Sequence, residues 1–224
     1  MEKSIIQKMI EAEIITEKDI VEYYNTNLKE QEENKPKKVE KPTYSLIADG
    51  VLVKFDEKDL NKNGGYVVPA GVHTIGQGAF KSCQGLMSVK LGRDVIEIKS
   101  AAFEECFYLQ SVKMTNSVRR IGDCAFFDCM DLTEINLSSN LKEISPRTFE
   151  RCVKLQRIEI PEELEKIKHA GFKWCTRLSA INKPTSNLKY VAEDAFYATP
   201  IGKDFMEAYR ENIEFDKQEK ENTK

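Results

Sequence analysis

One period governs this sequence: Cys83, Cys106, Cys129, Cys152 and Cys175 fall 23 residues apart, four intervals without a slip. The residues around each cysteine recur with it. A small residue and a phenylalanine stand just before, as Ala79-Phe80, Ala102-Phe103, Ala125-Phe126, Thr148-Phe149 and Gly171-Phe172. A last copy, Ala195-Phe196, follows after 24 residues and carries no cysteine. Leucine comes three residues after each cysteine (Leu86, Leu109, Leu132, Leu155, Leu178), then Val89, Val112, Ile135, Ile158 and Ile181. Two positions further stand Leu91, Met114, Leu137 and Ile160, until Lys183 breaks the column. A repeat this short is one supersecondary unit that cannot bury its apolar face alone, so its copies must stack. The chain is therefore a solenoid. Solenoids present extended surfaces, and binding is the first function to seek.

Within each copy the pattern alternates where a strand would have one buried face. A second apolar pair (Val95/Ile98, Val118/Ile121, Leu141/Ile144, Leu164/Ile167, Leu188/Val191) again turns two residues of four inward. Each coil thus reads as a short strand, a turn and a less regular return segment, with like residues stacked about 4.8 Å apart. The phenylalanine fills the coil, the small residue beside it permits close approach, and the cysteine is a soft buried filler. A five-membered ladder aimed into a core is better read as reduced thiols than as disulfides. Zinc would want paired cysteines or histidines at short spacing, which are missing. Cys124 is an extra thiol in the third copy.

These words resemble the BspA-type leucine-rich repeat family, whose units read roughly L-x-x-I-x-I-P-x-x-V-x-x-I-G-x-x-A-F-x-x-C. Ile75-Gly76, Ile121-Gly122, Ile160-Pro161 and the five Phe-x-x-Cys stretches match it residue for residue. The resemblance implies a right-handed leucine-rich repeat solenoid, mostly β with short irregular or helical return segments. It places an N-terminal β-hairpin cap over 44–71, with Val51–Phe55 pairing toward Tyr66–Pro69, and repeats over 72–200. A C-terminal helix-and-strand cap is expected over 201–215. Departures at Pro146-Arg147-Thr148, His169-Ala170-Gly171 and Lys183 put the local turns in question rather than the fold.

The ends read differently. Ile5, Ile6, Met9 and Ile10 form one helical stripe, and Thr16-Glu17-Lys18-Asp19 opens a second helix. Residues 1–33 are thus expected to form a helical hairpin, 34–43 a flexible linker rich in Lys and Glu, and 216–224 a charged disordered tail. Two helices of this size cannot bury enough surface alone, so the hairpin is expected to dock, self-associate or meet a partner. A net charge of −3 and no basic stripe argue against nucleic acid. The first residues make neither a secretory signal nor a membrane span, which points to the cytoplasm; many members of the resembled family are surface-displayed, which keeps the cell surface as an alternative.

No catalytic set and no cofactor site presents itself. His73 and His169 sit about four coils apart, beyond the reach that acid–base chemistry needs. Asp59-x-Asn61-x-Asn63-Gly64 opens like a calcium loop, but Ala70 stands where the bidentate Glu belongs, so a polar turn is the better reading. The column Glu97, Arg120, Glu143, Lys166, Tyr190 alternates in charge and would support register. Candidate partner-binding residues are Phe107, Met130 and Val153 in the column after the cysteine, where relatives usually carry small polar residues, with Tyr108, Phe127 and Trp174 nearby. On the strand face, the column Lys90, Lys113, Asn136, Glu159, Asn182 passes from basic to acidic, with Arg157 in the column beside it, which suits a mixed-charge protein partner. The expected function is a protein–protein interaction module; a surface adhesin and a non-catalytic regulatory subunit are the alternatives.

Overall fold

A computed structural model describes residues 44–222, with side chains through residue 212. The chain divides into two units, Met1–Pro42 and Thr43–Lys224, and the described residues belong to the second. The expected hairpin at 1–33 and linker at 34–43 lie outside the described residues.

Two ladders of short parallel strands run up the solenoid, because each coil places two apolar stretches in register with the coil before. The first ladder holds β3 (Gly65–Val67), β5 (Ser88–Lys90), β7 (Ser111–Lys113) and β9 (Glu134–Asn136), then β11 (Arg157–Ile158) and β13 (Ala180–Ile181). The second holds β2 (Val51–Lys54), β4 (Thr74–Ile75), β6 (Glu97–Ile98), β8 (Arg120–Ile121), then β10 (Glu143–Ile144), β12 (Lys166–Ile167) and β14 (Tyr190–Val191). The register follows the period: Val89 faces Val112, Ile98 faces Ile121, and Ile144 faces Ile167. The return segment, expected to be irregular, therefore carries a second strand in every coil.

A third column of backbone bonds runs along the opposite edge. Phe80, Phe103, Phe126, Phe149 and Phe172 each donate their N–H to the small residue of the next coil, at 2.7–2.9 Å. Their rings stack face to face, with centroids 4.6–5.4 Å apart and planes within 10° from Phe80 through Phe172. All five are buried. The cysteines complete the arrangement. Cys106 Sγ donates to the Phe80 carbonyl (2.9 Å), Cys129 to Phe103 (3.1 Å), Cys152 to Phe126 (3.3 Å) and Cys175 to Phe149 (3.0 Å). Burial pushes the Cys106 and Cys175 thiols up to about 12 and those of Cys129 and Cys152 well above their ordinary value.

Each return turn passes twice through the left-handed region, and the side chains there are seldom glycine. Gly78, Ala101, Cys124, Arg147 and Ala170 form one such column (φ 53–61°). Ser82, Glu105, Asp128, Arg151 and Trp174 form the other (φ 57–63°). Arg147 and Ala170, at the positions where the sequence departs from the repeat, adopt the same turn as their neighbours. The stack, not the residue, imposes the conformation.

The ends correct two expectations. The hairpin joins β1 (Leu46–Ala48) to β2 around Asp49-Gly50; Tyr66 instead enters the first ladder beside Val89. Asp49 (φ 47°) and Gly50 (φ 72°) supply the two left-handed positions of a tight turn, which is why the pairing closes there. At the other end, α1 (Gly202–Asn222) runs as one helix through the expected strand at 213–215 and into the expected tail. From Lys203 to Asn222 no Pro or Gly interrupts it, and Glu, Lys, Gln, Arg and Ala are strong helix formers. Phe205 seats on Phe196 (4.7 Å) and closes the ring stack, as Phe55 does on Phe80 (4.6 Å) at the start.

Both ladders lapse at the same place. Strand pairing is absent between β8 and β10 and between β9 and β11, the junction of the third and fourth coils. Elsewhere the Ile carbonyl of one coil accepts from a backbone N–H of the next, as Gly122 N–H to Ile98 (2.8 Å) and Lys168 N–H to Ile144 (2.9 Å). At the junction the Ser145 hydroxyl takes the Ile121 carbonyl instead (2.6 Å), and Asn140 Nδ2 reaches the Asn116 carbonyl (2.6 Å). The Ser145 hydroxyl thus stands where a backbone N–H pairs in other coils, whereas the Asn140 bridge has a counterpart in Asn187 Nδ2 to the Glu162 carbonyl (3.1 Å), where β12 and β14 do pair. The phenylalanine edge stays bonded there, Phe126 N–H to the Thr148 carbonyl at 2.9 Å.

Two outcomes test this core. Phe126→Ala removes ring contacts on both sides and is expected to cost about 3–5 kcal/mol in urea unfolding; a loss below about 1 kcal/mol contradicts the stacked column. In the native state the five periodic cysteines should react with a thiol reagent far more slowly than after unfolding, and rapid native labelling of three or more contradicts the ladder.

Candidate functional site

The groups that could carry chemistry are mostly engaged in holding coils together. His169 Nδ1 lies 2.8 Å from Asp194 Oδ2, while Asp194 Oδ1 accepts from the Ala170 N–H (3.2 Å), so the pair ties adjacent coils. His73 Nδ1 contacts Thr74 Oγ1 (3.0 Å). The two histidines meet different partners on different coils. Among the described residues no cluster of three or more His, Cys, Asp or Glu side chains is placed to hold a metal.

The calcium-like stretch is a capping device. Asp59 accepts from the N–H groups of Tyr44 (2.9 Å) and Ser45 (2.7 Å) and from the Ser45 hydroxyl (2.6 Å). Asn61 Oδ1 accepts from the Asn63 and Gly65 N–H groups (2.8 and 3.0 Å), closing an Asx turn. Glu57 has the most telling position. Its Oε1 accepts from the Gly85 N–H (3.0 Å) and the Cys83 thiol (3.2 Å), where later cysteines find a phenylalanine carbonyl. The Gly85 bond foremost, then the Cys83 bond, holds this carboxyl below its ordinary value, and burial followed by the Glu57 bond pushes Cys83 up to about 12.

The sequence-derived binding candidates separate into three groups. Phe107, Met130, Val153 and Phe127 are half-buried, and the Arg147 guanidinium lies over the Phe127 ring at 4.6 Å. Tyr108 and Trp174 are exposed, at 52% and 44%. Lys90, Lys113, Arg157 and Glu159 are exposed on the first ladder, where Arg157 and Glu159 pair with each other (2.8 Å). The alternating column on the second ladder makes one pair within itself, Arg120 with Glu97 (3.1 Å); Glu143 turns to Lys168 (3.8 Å).

Two features were missed from sequence. Tyr197 is 58% exposed and meets Trp174 edge-on with centroids 5.6 Å apart, while the Lys173 ammonium sits 5.5 Å from its ring. Its position, next after the phenylalanine of the last copy, was the available signal. The other is a cleft of about 510 Å³ at the ladder lapse, lined by the small residues Ser100, Gly122 and Ser145 and by Lys99, Arg119, Arg120 and Lys142 among others. A second, of about 420 Å³, opens between β9 and β11 beside Arg157 and Glu159.

The fold has known counterparts. A family model for the BspA type leucine rich repeat region matches residues 55–114 and 97–215, with six copies. The chain is similar to a leucine rich cell surface protein from Faecalibacterium prausnitzii A2-165, at 29% identity and a TM-score of 0.50, over 60% of this chain and 45% of that one. A leucine-rich repeat protein from Eubacterium ventriosum shares 15% identity and a TM-score of 0.58 over 67% and 46% of the two chains. A leucine rich repeat protein of T. pallidum shares 21% and 0.53 over 72% and 87%. The last two likenesses show the fold alone. This chain spans less than half the length of the first two proteins. No curated protein matches it.

The Glu57 cap generates a pH-dependent outcome. Its native carboxyl titrates below the ordinary 4.5, so its contribution is fully present above that value and is lost as pH falls through the lowered native value. The difference in urea midpoint between the parent and Glu57→Gln should hold steady near neutrality and narrow on acidification below about pH 4.5. A difference that stays constant down to pH 3 contradicts the assignment.

Proposed function

Because the chain belongs to the BspA-type leucine-rich repeat family, we propose that it works as a protein-binding module whose docking edge centres on Trp174 and Tyr197. The observation that carries this reading is the backbone of Trp174. Its φ of 61° lies in the left-handed region, where its column mates are Ser82, Glu105, Asp128 and Arg151. A bulky side chain held there costs about 1–3 kcal/mol. Burial offsets only part of this, since Trp174 remains 44% exposed. Stability alone would favour Asn or Gly at this position. Exposed Trp and Tyr are the residues that dominate protein interfaces, because they desolvate large area at small entropic cost. Tyr197 braces the indole edge-on, and Tyr108 offers another exposed ring on the return segments.

A second reading places the same edge outside the cell. Its support is the 29% identity to a protein described as a leucine rich cell surface protein. Protease treatment of intact cells separates the two: digestion of this chain favours the surface, protection favours the interior.

The double change Trp174→Asn, Tyr197→Ser tests the docking edge. Thermal unfolding should be unchanged or moved upward, while proteins captured by the immobilised full chain from a lysate of the source cells should be lost. A double variant that remains folded and captures the same proteins in the same amounts overturns the reading.

A further inference from the structure

We infer that the cleft over β6, β8 and β10 is a docking groove for an acidic, extended segment of a partner protein. Three independent features coincide there. The first is the lapse in pairing. In neighbouring coils the Ile96 and Arg119 N–H groups bond to the His73 and Ile96 carbonyls at 2.8 Å, and Lys189 bonds to Glu165 at 2.9 Å. The corresponding bond from Lys142 to Arg119 is not made, so strand backbone faces the cleft with its polar groups unspent on the ladder. The second is shape. Ser100, Gly122 and Ser145 line it with little side-chain bulk, and Gly122 has no room for more, since a Cβ there would meet the Ser100 nitrogen at 2.5 Å. Long cationic side chains complete the lining.

The third feature is charge. Four cations line the cleft against two carboxylates, Glu97 and Glu143, and both carboxylates are already engaged, with Arg120 and Lys168. Lys99 and Arg119 form no ion pair among the described residues. Arg120 pairs with Glu97 and Lys142 with Glu163, so in a chain of net charge −3 the unmatched positive charge at this cleft is that of Lys99 and Arg119. A uniform polyanion would still meet Glu97 and Glu143. A protein segment can instead place acids against Lys99 and Arg119 and neutral residues against the glutamates, and an extended strand also supplies backbone acceptors for the open N–H groups.

The inference rests on the reading of the chain as a protein-binding module but uses a different face. Failure here leaves the Trp174 edge standing, and failure of that edge leaves this cleft standing.

Fluorescence anisotropy with the full chain and a fluorescein-labelled peptide of alternating Glu and Ser provides the test, at low ionic strength. The same peptide with Gln for Glu, and a heparin oligosaccharide, serve as comparators. The Glu peptide should bind and the Gln peptide should not. The pair Lys99→Glu, Arg119→Glu should weaken binding by about tenfold or more, whereas Lys62→Glu, Lys203→Glu, exposed near the two ends of the stack, should leave it unchanged. If the reversal lowers the folded fraction by circular dichroism, the neutral pair Lys99→Gln, Arg119→Gln should still weaken binding. No binding of the Glu peptide, equal loss in both reversed pairs, or tighter binding of heparin than of the peptide overturns the inference.

Discussion

Everything in this molecule hangs on one bond repeated: the N–H of each core phenylalanine reaching the carbonyl of a small residue one coil onward. That bond sets the coil spacing, and the spacing lets the rings stack at 4.6–5.4 Å with parallel planes. The same spacing brings the thiols of Cys106, Cys129, Cys152 and Cys175 to the phenylalanine carbonyl of the preceding coil. The residue before the phenylalanine must be small because its carbonyl is the acceptor and its side chain faces the packed interior; Ala102, Ala125 and Thr148 are fully buried. No coil is complete without both neighbours, so order propagates along the axis rather than residing in any one repeat.

A stack of this kind has two ends where the supply of neighbours stops. Glu57 does for Cys83 what a phenylalanine carbonyl does for later cysteines, and Asp59 gathers the donors of Tyr44 and Ser45. Charged acceptors suit an end that meets solvent, where a carboxylate stays hydrated on one side while bonding on the other. The far end is closed by apolar means: Phe205, with Ile201, Met206 and Tyr209 packed beside the core, lays one turn of helix over Phe196. Gly202 makes the approach possible, since a Cβ there would meet the Phe196 carbonyl at 2.6 Å.

The surfaces with functional promise lie where the repeat gives up something. Trp174 accepts a strained backbone and exposure in a column otherwise filled by Ser, Glu, Asp and Arg. The cationic cleft lies where the Ser145 hydroxyl takes a carbonyl that a backbone N–H takes in other coils, while the Phe126–Thr148 bond keeps the stack intact behind it. A solenoid can tolerate such lapses because its other edge holds. That division leaves one edge responsible for stability and the others free to vary.

Much was legible in the residues themselves. The 23-residue period determined the solenoid, the inward columns and the buried thiols, because a short unit with one apolar face has no other way to bury it. The outward-pointing Tyr108, Trp174, Lys90, Lys113, Arg157 and Glu159 were legible too, since whatever the inward columns leave over must face solvent. The turn conformations were not: left-handed positions filled by Ala101, Cys124 or Arg147 carry no glycine to announce them. Nor was the half-burial of Phe107, Met130 and Val153, or the course of α1 through the expected helix-and-strand cap. The cleft at the third junction was the most hidden, because Ser145 looks like an ordinary polar member of its column. Only when coils stack does a hydroxyl take the carbonyl that a backbone N–H would otherwise reach, as Ser145 does at Ile121, and that competition is a property of neighbours in space, not of neighbours in sequence.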